Sequence, residues 1–136
     1  MCYGKSNNKI LNELRIIFPF DYNKYPVVFS ISQIMLLSDF QGILVEIQNG
    51  IGHNFQGGGY YFPSIFDSTE EEGYFDDGVM FYEKDIDVEK ISYGMFIKLL
   101  DVLSYIYVYV FPEKQEVIYE YLGKAKDSIY NMMYKH

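Results

Sequence analysis

Between Asp67 and Lys90 the chain places ten carboxylates, Asp67, Glu70, Glu71, Glu72, Asp76, Asp77, Glu83, Asp85, Asp87 and Glu89, against two bases, Lys84 and Lys90. Carboxylates at this density could hold a metal, move protons, attract a cationic surface or stand solvated in a loop. An EF-hand loop wants acids at positions 1, 3, 5 and 12 with glycine at 6. Asp85, Asp87 and Glu89 alternate, but the sixth residue from Asp85 is Lys90 and the twelfth is Phe96. Glu70, Glu71 and Glu72 are consecutive, so their side chains fan apart unless a loop gathers them. No Cys/His zinc spacing occurs. The expectation is no built metal site and no cofactor, with only adventitious binding of divalent ions.

Catalysis finds little footing. Serine or cysteine nucleophiles need a base, most often histidine. The two histidines are His53, in a glycine-rich stretch, and His136 at the terminus. No G-x-S-x-G elbow is present, and Cys2 stands where no scaffold would preorganise it. His53 reads as a residue that packs or hydrogen-bonds locally. GHNFQGGG, Gly52 to Gly59, has the glycines of a phosphate loop without its lysine, and the dinucleotide pattern also fails. The triple glycine reads as a flexible connection or a place of close backbone packing. A glycosidase-like carboxylate pair has no positive support. The chain is expected not to be an enzyme.

The excess of eight acids in residues 67–90 equals the whole net charge of −8, and the rest of the chain is neutral. Such a segment repels nucleic acid and anionic membrane and attracts cationic surfaces. Tyr74, Phe75 and Tyr82 are interleaved with the acids. Aromatics at the centre and charge at the rim is an interface pattern. Val79 to Tyr82 alternates as a strand, which would hold the flanking acids in place. A partner surface is therefore favoured over a solvated loop. The fifteen tyrosines of the chain fit interfaces, and codon drift explains them equally well.

Helices and strands must position these groups. Ile10, Leu11, Leu14, Ile17 and Phe18 fall at helical spacing ahead of Pro19. A second helix is expected from a cap at Ser30 or Ser32, weakened at Gly42 and so divisible into two pieces. Residues 42–48 read as helix or strand. Residues 49–59 read as a loop, YYFPSIF as an edge strand limited by Pro63, and Asp76–Gly78 as a turn into the strand GVMFYEKDI. Ser92 is expected to cap a helix carrying Phe96, Leu99, Leu100, Leu103 and Ile106. Pro112 should open a last helix with Val117, Ile118, Leu122, Ala125 and Ile129 on one face. The expected fold class is α+β in a single domain over 1–136, with a small central antiparallel sheet, N-terminal helices and a C-terminal αα-hairpin.

A single cysteine precludes an internal disulfide and fits a reducing compartment. The N-terminal stretch lacks the apolar core of a secretory leader. Apolar runs such as 104–111 fall short of the roughly 20 residues that cross a bilayer. The expected location is cytoplasmic.

The stretch 78–122, about a third of the chain, resembles the immunity proteins of bacterial contact-dependent growth inhibition systems, in particular those that neutralise ribonuclease toxins. The resemblance lies in Gly78, Val79 and Phe81, in Ile91-Ser92-Tyr93 opening a helix, in Phe96 and Leu100 on one face, in Tyr107 or Tyr109, and in Pro112-Glu113. Asn49 to Gly52 looks like the family's turn after its second helix. Gly94 and the acidic insert Asp67–Asp77 depart from the family pattern. The resemblance implies an antitoxin that covers the basic active-site surface of a cognate toxin domain, a ribonuclease. The partner-binding candidates are then Glu70, Glu71, Glu72, Asp76 and Asp77 as steering charges, Tyr74, Tyr82 and Tyr60 as anchors, and Glu83 and Asp85 beside them. The alternatives are a small carboxylate-dependent or metal-binding enzyme and a Tyr-rich oligomerising adaptor.

Overall fold

The computed structural model describes residues 2–63, 77–84 and 88–134. The described chain runs α1 (Cys2–Ile17), α2 (Pro26–Leu37), α3 (Phe40–Gln48), β1 (His53–Phe55), β2 (Gly58–Tyr61), β3 (Val79–Glu83), β4 (Val88–Ile91), α4 (Tyr93–Val110), a 3-10 turn (Pro112–Lys114) and α5 (Gln115–Met133). The four strands form an antiparallel meander in sequence order. The fold is α+β, with helices before the sheet and an αα-hairpin after it.

The second helical region divides, but not at Gly42. The break falls at Ser38 and Asp39, and the two axes differ by 113°. Asp39 caps α3 by accepting from the Gly42 N–H at 3.1 Å, so GILVEI is helix. The serines proposed as caps of α2 sit inside it. Ser32 donates back to the Val28 carbonyl at 2.7 Å, and the helix starts earlier, with Pro26 in its first turn, where a missing N–H costs nothing. Tyr25 occupies the cap position and offers no side-chain acceptor. Glu89 of β4 supplies one from across the fold, its two oxygens accepting from Val27 N–H at 3.0 Å and Val28 N–H at 2.9 Å.

Residues 49–59 are not a plain loop. His53–Phe55 and Gly58–Tyr61 pair as a hairpin, with Phe55 opposite Gly58 and only Gln56 and Gly57 between. A side chain at Gly59 would meet the His53 carbonyl, Asn54 and the Tyr82 hydroxyl, so of the two expectations for the triple glycine, close backbone packing holds here. Gly78 enters β3 with φ +86°, a left-handed conformation suited to glycine. Pro63 lies beyond the end of β2. The strand β4 was not expected, because only Ile91 of its four residues is buried.

One face of the sheet packs on the helices. Val79 and Phe81 alternate inward as expected, and Tyr60 and Ile91 share that face through the strand register. Tyr60, Phe62, Phe81 and Phe96 form an aromatic cluster with centroid distances from 5.6 to 6.1 Å. Pairs of this kind add about 0.5–1.5 kcal/mol beyond burial. Ser92 caps α4, accepting from Met95 N–H at 3.0 Å. α4 continues through YIYVYV because Leu103, Ile106 and Val108 are buried, and packing outweighs the weak helix propensity of β-branched residues. By length and composition α4 could cross a bilayer, more than its short apolar runs suggested. Here 44% of it is buried inside the fold, between α1 and α5.

Candidate partner-binding surface

β3 carries its odd residues into the core and its even ones, Met80 and Tyr82, to the other face. Tyr82 stands opposite Gly59. With no Cβ at Gly59, the Tyr82 ring crosses β2, and its hydroxyl donates to Asn54 Oδ1 on β1 at 2.6 Å. The Tyr61 ring lies beside it, centroids 5.7 Å apart and inclined at 48°. Burial, and secondarily Tyr61, pushes the Tyr82 phenol above its ordinary value. It therefore stays protonated and remains a donor at neutral pH.

Two depressions flank the Tyr82–Asn54 hydrogen bond. One, of about 480 Å³, lies between the Gly50–Gly52 turn and the Tyr61–Tyr82 pair. The other, of about 400 Å³, is bounded by Gln56, Gly58 and Lys84. A third, also about 400 Å³, opens against α3 between Ser38, Asp39, Glu46 and His53. His53 forms a wall of both the first and the third. Its Nδ1 lies 2.7 Å from Glu46 Oε1, and its ring packs on Phe55 at 4.2 Å. That is local hydrogen bonding and packing, as the sequence suggested. The partner, Glu46, was not foreseen, because GILVEI was read as either helix or strand and only the helix turns Glu46 toward β1.

The sequence candidates distribute unevenly. Glu70, Glu71, Glu72, Tyr74, Asp76 and Asp85 lie outside the described residues. Tyr82 is half-buried at the centre of the outer sheet face. Asp77 pairs with Lys90 at 3.3 Å. Glu83 accepts from Ser30 Oγ at 3.1 Å, which ties it to α2. Tyr60 is a correction: it is 1% exposed, its position places it on the core face, and it cannot anchor a partner. Its hydroxyl is buried without a hydrogen-bond partner among the described residues. Burial, and secondarily the Glu46 charge, drives its ionisation far above the ordinary tyrosine range. Glu89, counted in the acidic stretch, serves as the α2 cap.

Among the described residues no three His, Cys, Asp or Glu side chains converge as metal ligands would. Compared with family models, with curated proteins and with solved structures, the chain matches none.

Proposed function

We propose that this chain is an immunity protein, a non-catalytic antitoxin that binds a cognate basic toxin domain, a ribonuclease, and occludes the surface meant for phosphates. The observation that carries this reading is charge placement. All of the −8 resides in residues 67–90, and the described part of that segment includes β3 and β4, a fixed frame in the sheet. A concentrated negative segment favours fast, steered docking of a cationic partner. The likeness of residues 78–122 to toxin-immunity proteins points the same way.

The test is co-expression with the product of the gene immediately upstream, pull-down, and an RNA-cleavage assay. The expected result is tight capture and arrest of cleavage. Reversing the charges of Glu70, Glu71, Glu72, Asp76 and Asp77 should then weaken binding and flatten its salt dependence. No capture, continued cleavage in the complex, or a reversal that changes neither affinity nor salt dependence would overturn the proposal.

A further inference from the structure

The outer stripe of α4 carries Gly94, Lys98, Asp101 and Tyr105, all exposed. Their spacings of four, three and four residues keep them in line along the helix, and the spacing is the same from either end. Tyr105 lies about two and a half turns from Phe96, which packs on Tyr60 and Phe81, so the stripe points away from the sheet. A Cβ at Gly94 would meet only Ser92 Oγ among the described residues, at 3.9 Å, which leaves a notch there. Lys98 forms no ion pair among the described residues. Asp101 is held by Lys126 at 3.0 Å, yet its side chain stays 46% exposed, open to a second cation. The Tyr105 ring stacks on Tyr109, centroids 6.4 Å apart and planes at 19°, with Lys9 Nζ 4.5 Å from the Tyr109 centroid. It is a braced projection.

Notch, cation, anion and ring in that order are complementary to the same stripe run backwards. A two-fold axis between Leu99 and Leu100 sets Lys98 against Asp101 of a second copy and Tyr105 against its Gly94, and symmetry makes each contact twice. Alternating steps of three and four residues are those of a helix-pair seam. We propose that the chain forms a two-fold homodimer through an antiparallel α4–α4 contact. A foreign helix would have to supply the reversed order of size and charge, which the chain itself already carries. β3 and β4, which belong to the segment holding the whole negative excess, lie on the sheet side of α4, so this contact does not bring them face to face. The stripe spans about 16 Å of helix, a small contact, and the expected dissociation constant is on the order of 100 µM. The inference goes beyond the antitoxin reading and does not depend on it.

The experiment is sedimentation equilibrium of the full chain from about 10 µM to about 1 mM, at roughly 150 mM salt to screen repulsion between the acidic segments. A monomer–dimer equilibrium is expected. Lys98→Glu sets two carboxylates together at both contacts, and Asp101→Lys sets two ammonium groups together. Each variant alone should dimerise at least about tenfold more weakly. An equimolar mixture of the two restores opposite charges at both contacts and should dimerise nearly as the parent does, an outcome that general destabilisation would not produce. Gly94→Leu should abolish the dimer by filling the notch, with thermal melts confirming that each variant is folded. A chain that stays monomeric throughout would overturn the inference. So would a dimer that persists unweakened in either charge variant or in Gly94→Leu, or a mixture that stays monomeric. The two proposals fail separately. Absence of a dimer leaves toxin capture untouched, and absence of toxin capture leaves the dimer untouched.

Discussion

Glu89 and Val28 stand 61 residues apart in the chain, yet the Glu89 carboxylate accepts the Val28 N–H at 2.9 Å. With Val27 bound by the other oxygen, one side chain of β4 satisfies two of the free N–H groups at the start of α2. It also places a negative charge at the positive end of the helix dipole. A residue that composition assigns to a partner-facing acidic run is thereby a structural joint between sheet and helix.

Removing that joint should be felt as lost stability. Glu89→Ala is expected to cost about 1–2 kcal/mol, the range for loss of a side-chain cap, read as a lower urea midpoint at unchanged slope. Glu89→Gln should fall between, keeping one acceptor and losing the charge. Affinity for a basic partner should change less in either variant than on reversal of Glu70, Glu71 and Glu72.

Gly59→Ala tests the crossing of Tyr82 over β2. The added methyl would meet the His53 carbonyl and the Tyr82 hydroxyl, so strands or ring must move. A loss of about 1–3 kcal/mol is expected, as for overpacking generally. The Asn54 side-chain amide resonance should shift with it as the 2.6 Å hydrogen bond breaks. Gly57→Ala is the control, because no described residue lies within 4 Å of a side chain there, and it should leave both readouts nearly unchanged.

Tyr60→Phe should be neutral or stabilising by up to ~1 kcal/mol, because it removes a buried hydroxyl that finds no hydrogen-bond partner among the described residues while keeping the ring. The variant should also resist alkali better. In the fold Tyr60 holds its proton well above the ordinary value of 10.0, whereas the unfolded chain releases it near that value. The unfolded state therefore binds fewer protons above about pH 10, and stability present below that pH declines as pH rises. The melting temperature at pH 11 relative to pH 9 should fall less in Tyr60→Phe. Part of the decline should persist, since burial also raises Tyr82, Tyr93 and Tyr107.

Ser92→Ala should cost about 1 kcal/mol through the lost cap on α4. The loss should appear in global unfolding rather than as local fraying, because α4 carries Phe96, Leu99, Leu100 and Leu103 in the core.

Local signals explain which parts of this chain are legible without coordinates. The Ser92 cap, the helical spacing of Phe96 to Ile106, the inward alternation of Val79 and Phe81, and the opening of a last helical segment at Pro112 follow from short-range sterics and periodicity. All of them can be read in a window of a few residues. The charge of residues 67–90 is likewise a property of sequence alone. The cap of α2, the strand His53–Phe55 and the burial of Tyr60 are different in kind. Each depends on residues distant in the chain: Glu89 reaching Val27 and Val28, Tyr82 lying over Gly59, and Phe81 and Phe96 closing around the Tyr60 ring. Tyrosine suits a core and an interface equally well by composition. Only the register of β2 against β3, which turns Tyr60 inward and Tyr61 outward, separates the two roles.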